Sequence, residues 1–129
     1  MLAERAERLA RFCRDRGGDH VRVVLGYDDE EYVVAHATEA AQARYSADEV
    51  DRLVDTFRAV HDDLWSAPTV ESALGAPDAA VHHHGDVIVI HLLTDGTRGY
   101  LASFDRAAGS DLADFVDDCR LRVGGEMAD

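Results

Sequence analysis

Apolar residues recur along this chain with two alternating periods, three-to-four and two, and the switches between them mark out eight elements. From Leu2 to Arg16 the positions Leu2, Ala6, Leu9, Phe12 and Cys13 make one helical stripe that Gly17-Gly18 stops. Two β-type runs follow, His20–Tyr27 and Glu31–Ala37, joined by the acidic turn Asp28-Asp29-Glu30. The alanine-rich stretch Thr38–Arg44 has room for one or two helical turns.

Ser46-Ala47-Asp48-Glu49 has the spacing of a capping box, in which the serine hydroxyl accepts from the Glu49 N–H and the Glu49 carboxylate reaches back to the Ser46 N–H. Tyr45 and Val50 complete it as a hydrophobic staple. Val50, Leu53, Val54, Phe57, Val60, Leu64 and Trp65 carry the stripe on for about five turns, and Ser66-Ala67-Pro68 ends it. Thr69–Asp78, with Gly75 and Pro77, has the composition of a connection. Three strands are expected next, Ala79–His84, Val87–Leu93 and Arg98–Phe104, separated by Gly85-Asp86 and by a turn containing Asp95-Gly96. A last helix, capped by Ser110 or Asp111, sets Leu112, Phe115, Val116, Cys119 and Val123 in one stripe. Gly124-Gly125 closes it.

The order helix-strand-strand-helix-strand-strand-strand-helix predicts an α+β fold, a five-stranded antiparallel sheet with helices on both faces. One domain is expected over residues 1–125, with 126–129 a disordered tail. If Gly85-Asp86 is a two-residue loop, His82 pairs with Val89 and Ala80 with His91, while Ile88, Ile90 and Leu92 take the other face. The Val87–Leu93 strand is then apolar on both sides and central. Ala79–His84, short and ending in three histidines, suits a sheet edge. The long helix is assigned to one face and the first and last helices to the other, which would make Cys13 and Cys119 neighbours. This arrangement resembles the roadblock, longin and profilin group of folds, roadblock most closely.

Charge changes the picture of the surface but not of the fold. There are 26 acidic residues against 13 basic ones, a formal charge of −13, and every basic residue is arginine. Molar salt shortens the Debye length to about 3 Å and removes most of the self-repulsion this implies. With 47% hydrophobic residues in periodic order the chain is not an acidic disordered tail. Leu25-Gly26-Tyr27-Asp28 through Tyr45-Ser46-Ala47-Asp48-Glu49, and His84-Gly85-Asp86 through His91, Arg98-Gly99 and Asp111–Cys119, resemble a family of small acidic uncharacterised proteins of halophilic archaea. The resemblance implies a salt-adapted cytoplasmic protein and carries over no catalytic residue.

Acidity argues against a nucleic-acid surface, which needs clustered positive charge; the Arg5, Arg8, Arg11 ridge is interleaved with Glu4 and Glu7. No run approaches the roughly 18–20 apolar residues of a membrane span, and the first helix does not read as a secretory signal. Cys13 and Cys119 lack a CxxC spacing and are expected as buried thiols.

The histidines are the candidate chemistry. His82 and His84 share a sheet face with His91 diagonal to them, three nitrogens suited to zinc or copper. No cysteine flanks them, a helix should cover the face, and His91 opposite Tyr100 can be a satisfied core ring. No metal or cofactor is therefore expected. Asp28-Asp29, Asp62-Asp63 and Asp117-Asp118 read as solvated surface rather than acid–base pairs. There is no GxSxG, GxGxxG or GxxxxGK[ST] motif, and no lysine to serve a phosphate loop.

The resulting expectation is a non-catalytic interaction or regulatory module, self-associating as a homodimer through a helix or a sheet edge, open to another protein as a further partner, and possessing no catalytic residue. Apolar residues on the terminal helices, among them Leu2, Leu9, Phe12, Leu112, Phe115 and Val116, motivate it. The alternative is a small-molecule or metal sensor using the His82/His84/His91 face, with His91, Tyr100, Trp65 and Tyr32 lining a cavity.

Overall fold

The computed structural model describes residues 1–67 and 72–124. The proposed helix stop at Pro68, the start of the 69–78 connection, and the domain end and tail at 125–129 lie outside the described residues. The elements are α1 (Leu2–Gly17), β1 (Val21–Tyr27), β2 (Tyr32–Ala37), α2 (Glu39–Arg44), α3 (Ala47–Trp65), β3 (Ala79–His83), β4 (Val87–Leu93), β5 (Gly99–Asp105) and α4 (Ser110–Arg122). Residues 72–74 add a single helical turn, and short 3₁₀ turns precede β1 and α4.

The α+β prediction holds: all five strands form one antiparallel sheet in the order β2-β1-β5-β4-β3. The histidine-bearing β3 is at an edge, and β4 is flanked on both sides. The middle position belongs to β5, which joins the N-terminal hairpin to the C-terminal meander. The β3–β4 register is the one expected, with Ala80 opposite His91 and His82 opposite Val89. Across β4–β5, however, His91 pairs with Leu101 and Leu92 with Tyr100. The connection spans residues 94–98, one residue more than the expected strand ends leave, and that difference of one sends Tyr100 to the opposite face from His91.

Two cores result. On one face α1 presents Leu2, Ala6, Ala10 and Cys13, and the alanines let it lie close on Val21, Val24, Tyr100 and Ala102. On the other, α3 meets Leu25, Tyr27, Val89 and Leu101 through larger side chains and buries only Val54 and His61 completely. A register shift in β1 against β5, from Val21↔Phe104 to Val23↔Ser103, is a bulge at Arg22.

The start of α3 carries the capping box as read from the sequence. Ser46 Oγ accepts from Glu49 N–H at 3.2 Å, and Glu49 Oε1 accepts from Ser46 N–H at 3.2 Å.

The last helix departs from expectation at Cys119, read from the sequence as a buried thiol. Ala113 and Asp117 face inward, whereas Leu112, Phe115, Cys119 and Val123 point to solvent, Phe115 with 65% of its surface exposed. Asp117 Oδ2 accepts from Arg106 Nη2 at 2.9 Å, and this half-sequestered pair holds the polar side of the helix against the domain. Cys119 is thus an exposed thiol and not a core partner of the buried Cys13.

Because the capping box satisfies helix-end donors in solvent, Ser46→Ala is expected to lower stability by about 1 kcal/mol with the sheet intact, measured by urea unfolding.

Candidate functional site

The polar centre of the molecule lies between α3 and the sheet. Tyr27 ends β1, His91 sits mid-β4 and His61 lies in the last turns of α3, and none of the three has more than 1% of its surface exposed. The Tyr27 hydroxyl is 2.6 Å from His61 Nδ1 and 2.6 Å from His91 Nε2. His61 Nε2 is 2.6 Å from the Asp95 carbonyl oxygen, and His82 Nε2 is 3.4 Å from His91 Nδ1.

These four contacts have one consistent direction when the rings are neutral. A carbonyl only accepts, so His61 Nε2 carries the proton and its Nδ1 is an acceptor. Tyr27 therefore donates to His61 and accepts from His91 Nε2–H, which leaves His91 Nδ1 to accept from His82 Nε2–H.

Burial, then the neighbouring His82 and His61, push His91 down to about 4. Burial and then His84 also lower His82. Tyr27 is held well above the usual phenol range by burial, with Arg58 opposing the shift and Asp62 adding to it. Neutral tyrosine and neutral His91 are the forms that the row requires.

Local sequence explains how so much polarity is seated here. The β4–β5 connection is tied by Asp95 Oδ1, which accepts from the N–H groups of Thr97 and Arg98 at 2.9 and 2.8 Å, and this aims the Asp95 carbonyl at α3. Gly99 lies beneath Tyr27, and a Cβ there would collide with the Tyr27 hydroxyl and the Leu92 carbonyl. Phe57 places its ring edge-on to His82 and His91, at centroid distances of 5.0 and 5.3 Å.

Beyond Phe57 the packing opens. Toward its N-terminal half α3 stands over a cavity of about 430 Å³, walled by Val23, Leu25, Val54, Phe57, Val89 and Leu101. The volume is that of a small-molecule pocket.

The sequence-predicted site is therefore divided. His82 and His91 adjoin, but His91 turns its other nitrogen to Tyr27, and His84 lies at the cavity mouth. Among the described residues no group of three histidine, cysteine, aspartate or glutamate side chains is placed to hold a metal ion. Tyr27 and His61 were missed as site residues. Tyr27 sits in strand alternation like any core aromatic, and His61 falls on the stripe of α3 one residue after Val60. None of His91, Tyr100, Trp65 and Tyr32 lines the cavity: Tyr100 packs with Leu2 and Ala6 on the far face, Trp65 lies beside His61, and Tyr32 bonds Asp51.

Fold and site together define a two-faced α+β sheet domain with a buried tyrosine–histidine row and an apolar cavity under one helix. The chain belongs to the DUF7522 family, described as a domain of unknown function, whose model matches residues 7–124. No curated protein matches the chain. No helix among the described residues is long and apolar enough to cross a membrane.

Two measurements check the row. Tyr27→Phe strips the shared partner from His61 and His91 and is expected to cost about 2–6 kcal/mol, at roughly 1–3 per unsatisfied buried group. The second is pH dependence. His91 has a folded value near 4 against 6.5 in the unfolded chain, so between these the unfolded state binds more protons and stability rises with pH. The contribution, about 3 kcal/mol, is complete above pH 6.5 and lost as pH falls to 4. Urea unfolding of His91→Gln is expected to show a flatter profile across that window than the unaltered protein.

Proposed function

We propose that this domain is a non-catalytic interaction module that self-associates through α4. The supporting observation is the outward stripe of Leu112, Phe115 and Val123, which are 46%, 65% and 85% exposed and share one side of the helix with Cys119. A contiguous apolar face on a charged chain is characteristic of an association surface.

The charge order of α4 favours a second copy as the occupant. Asp111 and Asp114 stand at its N-terminal end and Arg122 at its C-terminal end. Two copies related by a two-fold axis would lay their helices antiparallel, apolar stripe on apolar stripe, and set the acids of each beside the arginine of the other. A net charge of −13 opposes such a meeting in dilute salt, so the association belongs to a salt-rich cytoplasm. The halophilic origin and the roadblock-like dimer platform read from the sequence are part of this proposal.

An enzyme reading lacks support. The tyrosine–histidine row is enclosed, and its nitrogens and hydroxyl bond one another or a backbone carbonyl, as in a structural network. Metal sensing at His82 and His91 has little space to use, since Phe57 is packed on both, and His84 stands apart at the cavity mouth. Neither a nucleic-acid nor a membrane partner is part of the reading.

Static light scattering in 2 M KCl is expected to give twice the 14.1 kDa chain mass, and Phe115→Glu to give the chain mass with an unchanged circular dichroism spectrum. A monomer up to millimolar concentration would overturn the proposal.

A further inference from the structure

We infer that the cavity under the N-terminal half of α3 is a binding site for a small apolar carboxylate, with the hydrocarbon among the valines and leucines and the carboxylate at the mouth. This is independent of self-association through α4, which lies elsewhere in the fold.

The body of the ligand follows from the walls. Val23, Leu25, Val54, Val89 and Leu101 offer no polar side-chain atom, and the space of about 430 Å³ equals the liquid volume of about fourteen waters. An apolar chain gains there what water would lose.

The head follows from the rim. Arg22 and Arg44 both line the cavity, with Asp86 the only acidic side chain among the lining residues. In a chain with twice as many acids as bases, two arginines to one aspartate is a reversal of the local charge. The β-bulge at Arg22 puts two successive residues, Arg22 and Val23, on the cavity side of β1, where strict alternation would have sent one away. Arg22 is engaged by Asp105 through Nε at 3.4 Å, and Asp105 does not line the cavity. A guanidinium has five N–H donors, so this contact leaves donors for a second acceptor.

Arg44 reaches across the mouth from the end of α2 to Asp86 in the β3–β4 turn, Nη2 to Oδ2 at 3.2 Å. Both side chains are about half exposed, so the pair is weak and readily exchanged. Asp86 occupies Arg44 as a ligand carboxylate would, and an entering carboxylate replaces it on the planar fork that suits this geometry. His84 and Ser103 stand among the lining residues with further polar atoms.

Isothermal titration calorimetry of the full chain with sodium octanoate and with octan-1-ol, each in 0.2 M and 2 M KCl, tests the inference. Octanoate is expected to bind one-to-one and at least about tenfold more tightly than octanol. The preference should persist in 2 M KCl, where only direct contacts escape screening. The double variant Arg22→Gln/Arg44→Gln should bring octanoate down to the affinity of octanol, and Leu53→Trp at the half-exposed rim should weaken both, each variant's fold being confirmed by circular dichroism. Equal binding of the two probes overturns the carboxylate assignment while leaving an apolar site. Octanoate binding that neither variant alters places the ligand elsewhere, and absence of binding by both probes overturns the site.

Discussion

The Tyr27 hydroxyl is the point on which the two layers of this protein depend. It bonds both the α3 histidine and the β4 histidine at 2.6 Å, and it does so in a fully buried position. A hydroxyl has one proton to give, so its two partners cannot both be acceptors. The Asp95 carbonyl resolves this at one end and His82 completes it at the other. Helix, strand and turn are thereby set relative to one another by bond direction as well as by packing.

That tie is local, and its locality explains the cavity. The last turns of α3 are drawn onto the sheet by His61, Phe57 fills the next position, and further toward the N-terminus only short aliphatic side chains face each other. Valine and leucine leave a space of about 430 Å³ there. α1 illustrates the contrast, since Ala6 and Ala10 let it settle on the opposite face along its length. One sheet thus carries a closely seated helix on one side and a helix over a cavity on the other.

The charge has a consistent meaning within this frame. Most acidic side chains occupy turns, caps and outward helix positions, and several act locally: Asp28 and Asp95 tie turns, and Glu49 caps α3. Asp117 is the exception, drawn inward by Arg106, and its burial is what rotates the apolar stripe of α4 to the surface. Periodicity alone assigns that stripe to a core because it measures which residues share a side of the helix, not which side faces the domain.

Elements, the capping box, the sheet class, the β3–β4 register and the edge position of the histidine strand were legible in the sequence, because each follows from contacts between residues near in sequence or from strict alternation. The β4–β5 register was not, since a four-residue connection and a five-residue one leave similar traces but opposite faces. His82 and His91 were legible as neighbours on one hairpin, while their continuation through Tyr27 to His61 joins residues 34 and 64 positions apart and depends on where α3 sits. Alternation and capping are properties of the chain itself. The direction of the hydrogen-bond row, the cavity under α3 and the outward turn of α4 arise only when separate elements compete for the same space, and the tertiary structure alone decides them.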